Sequence, residues 1–172
     1  MKSPDVKIRR AEPTEFEKVA EMHYPVWRQS WSGIIEDFML DLIATPKFWA
    51  TVSYPDAVRR LGWDMWIAES GGKILGMAIF GPDAAIPDAL YIEALYTWEQ
   101  GRKLGIGVRL LNKAVRSHPS GDVILWCAER NSRARQFYED NKFELDGRSY
   151  TWHPLPSVDV PHVGYRRAAA QA

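Results

Sequence analysis

The sequence predicts a mixed α/β domain rather than a repeating βαβ unit. Three observations carry this. Short apolar runs of strand length occur at 65–68, 74–80, 90–97 and 122–128. Between and around them lie segments whose apolar residues recur at helical spacing. The resulting order is strand, two or three helices, three strands, helix, strand, helix and two strands, which is not strict alternation.

Val6 to Arg10 alternates apolar and basic residues and reads as the first strand. Pro13-Thr14-Glu15-Phe16-Glu17 opens a helix, since proline suits a first turn and acids suit the positive N-terminal end. Phe16, Val19, Ala20 and His23 continue it at helical spacing, and Pro25 is expected to end or bend it. Further helical runs are expected over 34–43 and 55–61. Met65–Ala68 and Ile74–Phe80 flank Ser70-Gly71-Gly72-Lys73, a β-hairpin signal. Leu90–Thr97 is the next strand. A helix over 107–117 follows, with Val108, Leu111, Ala114 and Val115 on one face. A strand at 122–128, a helix at 133–141 and strands at 143–152 and 160–166 close the chain.

The length of 172 residues suits one domain, expected over 1–167, with a frayed Ala-rich tail at 168–172. Hydrophobic residues at 46% and charged residues at 26% are the balance of a water-soluble fold. The 22 basic and 22 acidic side chains cancel, so no nucleic acid or anionic membrane is expected as partner. The one cysteine, Cys127, lies in the apolar run 123–128; it can form neither an intramolecular disulfide nor a cysteine-rich metal site, and no metal is expected. It reads as a core thiol. No apolar stretch nears the ~20 residues of a membrane-spanning helix. Met1-Lys2-Ser3-Pro4-Asp5 lacks the apolar core of a secretory leader, so a cytoplasmic location is expected.

The chemistry concentrates at 95–111, where a strand ends, a basic glycine-rich loop follows and a helix begins. Free N–H groups at a helix start, glycines that let the backbone approach closely, and the charges of Arg102 and Lys103 together predict a phosphate-bearing ligand. The spacing Gly101, Gly105, Gly107 fits neither a dinucleotide fingerprint nor a Walker A loop.

Arg102-x-x-Gly105-x-Gly107 resembles the R/Q-x-x-G-x-G/A pattern with which GNAT acetyltransferases grip the pyrophosphate of coenzyme A. It follows a strand reading Leu95-Tyr96-Thr97, where that family often has Leu-Tyr-Val. Asn131 to Phe143 resembles a second signature of the family, N-x-x-A-x-x-F-Y-x-x-x-G-F, and 26–34 is similar to its first helical region. Two departures stand out. Lys103 occupies a position where many members have glycine, and Lys142 replaces the glycine before Phe143.

The resemblance implies a central, mostly antiparallel sheet of six to seven strands, splayed between strands 4 and 5, with about four helices around it. It implies acetyl-coenzyme A as cofactor. The pyrophosphate would lie on Arg102, Lys103, Leu104, Gly105, Ile106, Gly107 and Val108. The pantetheine arm would pair with the main chain of Leu95, Tyr96 and Thr97 and with Asn131, whose residue type also suits a helix N-cap. Tyr138 would give a proton to the departing thiolate.

An attacking ammonium must first lose a proton. Glu93 is the candidate acceptor, expected on the strand face it would share with Tyr91 and Leu95; His23 and Glu21 are lesser candidates. The resemblance further implies that the first helical region, with His23, Trp27 and Trp31, covers the acceptor site. The count of eight tryptophans favours a roomy apolar pocket for a small-molecule amine or amino acid. Two alternatives stay open: acetylation of a protein N-terminus or lysine, and a non-catalytic acyl-coenzyme A-binding module of the same fold. Pairing into homodimers is a further expectation.

Overall fold

The computed structural model describes residues 5–102 and 104–169. Seven strands form one sheet in the order β1-β2-β3-β4-β5-β7-β6. They are β1 (Lys7–Arg10), β2 (Asp64–Ser70), β3 (Lys73–Pro82), β4 (Ala89–Thr97), β5 (Asp122–Ala128), β6 (Glu144–Trp152) and β7 (Val160–Arg167). Neighbours are antiparallel except β4 and β5, which run parallel. Gly71 and Gly72, with φ of 57° and 78°, make the two-residue turn between β2 and β3, a conformation that glycine adopts without steric cost.

The parallel pair is short. Ala89 to Ile92 face Asp122 to Leu125, and there the ladder stops. Beyond it β4 stays with β3, from Ala94 opposite Ile79 to Thr97 opposite Gly76, while β5 stays with β7. The strands part where β4 carries one extra residue. Ile79 faces Ala94 but Phe80 faces Ile92, leaving Glu93 as a bulge. A bulge bends its strand and interrupts the alternation of side chains.

Each face of the sheet carries a core. On one lie α1 (Phe16–Trp31), α2 (Asp37–Ile43) and a continuous helical run of α3 (Pro46–Phe48), a π-helical turn (Trp49–Ser53) and α4 (Tyr54–Arg59). Val19, Leu40, Met65, Ile67 and Met77 are buried there. On the other lie a short α5 (Glu99–Arg102), α6 (Ile106–Ser117) and α7 (Ser132–Asp140). Ile106, Leu110, Leu111 and Ala114 of α6 pack on Ala78, Phe80, Leu90 and Ile92. Ile67 and Ala68 point to opposite cores, as period-two alternation requires. A fully buried leucine such as Leu110 contributes about 1.5–3 kcal/mol.

Helix boundaries differ from expectation in three places, the smallest being α2, which begins at Asp37 rather than at 34 because Ile35 bridges to Ser32. Pro25 does not end α1, which runs six residues further to Trp31. Pro25 is exposed, so the carbonyl it deprives of a donor can turn to water, while Met22, His23, Val26 and Trp27 hold the helix on its buried side. The helical run before β2 starts at Pro46 rather than at 55. Thr45 caps it, its hydroxyl accepting from the Phe48 N–H at 3.1 Å, and Pro46 stands in the first turn.

Two polar ties complete the frame. Arg9 of β1 binds Glu15 and Glu69, and holds the Glu15 carboxyl down to about 2. Ala169 donates its amide to Asp122 at 3.0 Å, and Ala170 to Ala172 of the expected tail lie outside the described residues. Lys142 takes the left-handed conformation, φ 68°, at the position where the family signature has glycine.

Candidate functional site

The gap between the parting strands is a cleft of about 480 Å³. Leu95, Tyr96 and Thr97 line one side and Trp126, Cys127 and Ala128 the other. Trp98 donates its N–H to Leu75 of β3 at 2.8 Å. Main-chain groups alternate along a strand, so those of Thr97 and Leu95 turn into the gap and those of Tyr96 toward β3. β4 thus offers an unpaired edge to an extended ligand.

One end of the cleft is built for an anion. Gly105 sits at the N-cap of α6 with φ 67°, and no side chain caps the helix. The first bond of that turn is Arg109 N–H to Gly105 O at 3.0 Å, which leaves the N–H groups of Ile106, Gly107 and Val108 without intrahelical partners. Arg102 faces the cleft with Nη1 buried and unpartnered. Burial, and then the nearby Arg133, push its guanidinium below the ordinary value. Two converging guanidinium groups beside a bare helix start repel one another until an anion joins them. These residues fit a pyrophosphate.

The glycine-rich loop divides by role. Gly105, Gly107 and Val108 line the cleft. Leu104 is exposed, and the Ile106 side chain is fully buried in the core beneath α6. Lys103 lies outside the described residues. Asn131 caps α7, its Oδ1 accepting from the Ala134 N–H at 3.1 Å, and it lines the cleft as well.

Tyr138 lines the cleft, its ring packed on Phe137, Phe143 and Tyr165. Burial raises its phenol far above the ordinary 10.0, helped by Cys127, Tyr96 and Tyr91, so it keeps its proton at neutral pH. Burial also pushes the Cys127 thiol up to about 11, which leaves it a protonated wall group rather than a nucleophile.

Glu93 lines the cleft, with its carboxylate 2.7 Å from Arg60, whose guanidinium stacks over Trp63 at 3.5 Å. The expectation that Glu93 shares a face with Tyr91 and Leu95 fails. Tyr91 packs against the core under α1 and Leu95 against the core under α6, because the bulge at Glu93 inverts the alternation.

The three residues expected over the acceptor separate. Trp31 lines the cleft. Trp27 is buried, edge-on to Trp49 at 5.3 Å. His23 is buried between Trp49 at 4.1 Å and Tyr96 at 4.3 Å, with Nδ1 2.8 Å from the Tyr54 hydroxyl. Burial lowers His23 to about 3, so it is neutral. Neither His23 nor Trp27 is among the lining residues, and Glu21 is exposed on α1.

The cleft also contains residues that sequence reasoning missed: Arg133 at the anion end, and Trp126, Tyr150 and His162 at the other. Arg133 was within reach, as a charge inside the second signature next to the cap Asn131. The other three meet only through the strand order β5-β7-β6, with Trp126 4.7 Å from Tyr150 and Tyr150 stacked on His162 at 4.9 Å.

Among the described residues no group of three or more His, Cys, Asp or Glu is arranged to hold a metal ion, and no helix is long and apolar enough to cross a membrane.

Comparison with known proteins meets this geometry. A model of the acetyltransferase (GNAT) family matches residues 20–143. A Mycobacterium tuberculosis protein named as a probable N-acetyltransferase is 59% identical over 166 residues, covering 96% of this chain and 95% of that protein. The PaiA N-acetyltransferase of Thermoplasma acidophilum, solved in complex with coenzyme A, superimposes with TM-score 0.77 at 16% identity, covering 95% of this chain and 99% of its own. The ribosomal-protein-alanine N-acetyltransferase of Brucella melitensis gives TM-score 0.67 at 15% identity, covering 94% and 99%. At such identities these two structures speak for the fold alone.

Proposed function

The chain belongs to the acetyltransferase (GNAT) family, and from that premise we propose that it transfers an acetyl group from acetyl-coenzyme A to a primary amine of a small molecule or amino acid. One observation carries the reading. A single gap joins an unsatisfied anion site, Arg102 and the bare start of α6, to a buried protonated phenol, Tyr138. Acetyl-coenzyme A would supply the acetyl group as an activated thioester.

The residues then divide the work. The N–H groups of Ile106, Gly107 and Val108, with Arg102 and Arg133, hold the pyrophosphate. The main chain of Leu95 and Thr97 pairs with the extended arm, and the Asn131 side-chain amide, whose oxygen is spent on the cap, has its N–H₂ left to donate. Tyr138 gives its proton to the sulfur that leaves. Glu93, already engaged by Arg60, draws the protonated amine to the acceptor end of the cleft. Trp31, Trp126, Tyr150 and His162 close that end with ring faces, which favours a compact amine over a long peptide.

The test is thiol release from acetyl-coenzyme A against primary amines, amino acids and short peptides, beside thermal melts with coenzyme A. Small amines should be acetylated. At ~100-fold excess over its dissociation constant the cofactor should stabilise the fold by about 2.7 kcal/mol. A melt unmoved by saturating coenzyme A overturns the assignment, and acetylation confined to peptides overturns the acceptor.

A further inference from the structure

His162 of β7 lies opposite Ala128 of β5 and Tyr150 of β6, at the acceptor end of the cleft. It is only 7% exposed. Its Nδ1 is 2.9 Å from the carbonyl oxygen of Val160. A carbonyl can only accept, so Nδ1 carries the ring proton and Nε2 presents a lone pair. Nε2 is on the ring edge away from that carbonyl and has no hydrogen-bond partner among the described residues. The ring is clamped by Tyr150 at 4.9 Å, Trp31 at 5.9 Å and Trp152 at 6.1 Å. Orientation and tautomer are therefore both set before any ligand arrives.

We propose that His162 Nε2 is the group that takes the proton from the acceptor ammonium, a catalytic role beside Tyr138 and distinct from the charge attraction of Glu93. It rests on the acetyltransferase reading above. An N–H bond of the ammonium breaks as Nε2–H forms, leaving a neutral amine and an imidazolium. The amine nitrogen then bonds the acetyl carbon as the carbon–sulfur bond breaks. Tyr138 protonates the departing sulfur and is left as a phenolate. The second proton that nitrogen loses passes by way of solvent to that phenolate and restores it, and the imidazolium proton leaves to solvent. The net change is release of one proton per amide formed.

The surroundings suit a neutral acceptor. The titratable groups lining the cleft toward His162 are Tyr150 of β6, Cys127 of β5, and Tyr91, Glu93 and Tyr96 of β4; α1 contributes the uncharged Val26, Ser30 and Trp31. Arg148 of β6 lies over the Trp126 ring at 4.5 Å. None of these charges governs His162: burial pushes its imidazole below the ordinary 6.5, opposed only by the bond to Val160. The ring is neutral at physiological pH, and the acceptor is lost as pH falls through that depressed value.

Two measurements decide. With 2-phenylethylamine as acceptor, wild-type kcat/KM should be level above an acid limb that lies below pH 6.5. His162→Gln should bind coenzyme A as wild type does, lose about 10²–10⁴-fold in kcat/KM at neutral pH, and climb with the fraction of free amine. Glu93→Gln should raise KM and leave the acid limb in place. A His162→Gln enzyme that keeps the level region, or a limb that moves with Glu93→Gln, overturns the proposal. A wild-type enzyme that ignores this amine counts against the acceptor class proposed above, and the second measurement then decides. In ¹⁵N spectra of the imidazoles, His162 should carry its proton on Nδ1 and titrate below 6.5; a proton on Nε2 overturns the proposal.

Discussion

The ring edge of Phe137 stands 3.3 Å from the point that a Cβ on Gly107 would occupy, with Thr97 Cγ2 3.6 Å away. The start of α6, the flank of α7 and the end of β4 meet there, so Gly107 sets how closely the anion-facing turn approaches both walls of the cleft. Gly107→Ala asks Phe137 to yield by a few tenths of an ångström and should cost little. Gly107→Val drives branched methyls into the ring. Overpacking of this kind costs about 1–3 kcal/mol, and isothermal titration should show coenzyme A affinity down by ~10-fold or more.

Gly105 poses a different demand. A Cβ at this position would meet no atom beyond its chain neighbours within 4 Å, but the φ of 67° strains most side chains. Asparagine and aspartate tolerate that conformation comparably, which separates backbone from charge. Gly105→Asn should retain most of the affinity for coenzyme A. Gly105→Asp adds a negative charge beside the proposed pyrophosphate, about 4 kcal/mol of repulsion at near-surface dielectric if ~4 Å apart, and should abolish measurable binding in the same titration.

Tyr138→Phe removes a hydroxyl and keeps the packing on Phe143 and Tyr165. Coenzyme A affinity should be unchanged and kcat should fall by about 10²–10⁴-fold. Because burial raises the phenol, its proton is present at every pH below the raised value. Wild-type kcat should therefore show no alkaline loss from this group up to pH 10.0, the ordinary value. Wild-type turnover in Tyr138→Phe would return Tyr138 to a packing role.

His23 predicts acid lability of the fold. Its folded-state value, about 3, lies below the ordinary 6.5, so between those values the unfolded chain binds a proton that the folded chain does not. Stability is full above 6.5 and falls as pH drops, by about 1.4 kcal/mol per pH unit for this one group. Chemical denaturation from pH 7 to 4 should show that slope. His23→Phe keeps the stacking on Trp49 and should flatten it, at the cost of the bond to Tyr54.

The anion loop and the cap of α7 were legible in the sequence because each is made by contiguous residues. A strand end, two glycines and a helix start follow one another within a dozen positions, and Asn131 caps a helix that begins at the next residue. Strand and helix order were legible for the same reason, since periodicity reports which residues of one element face one core. Pro25 misled because the buried side chains on either side of it outweigh one lost hydrogen bond.

What the sequence by itself determined is the succession of elements and the chemistry of the loop from Arg102 to Gly107, both properties of neighbours along the chain. Only the tertiary structure decided which aromatic and titratable side chains face the cleft. The bulge at Glu93 reverses the faces of β4, the fold buries His23 away from the gap, and the order β5-β7-β6 brings Trp126, Tyr150 and His162 together from strands far apart in sequence. Register and strand order arise from the packing of the whole sheet between its two cores, and a one-residue shift in register sends every side chain of a strand to the opposite core.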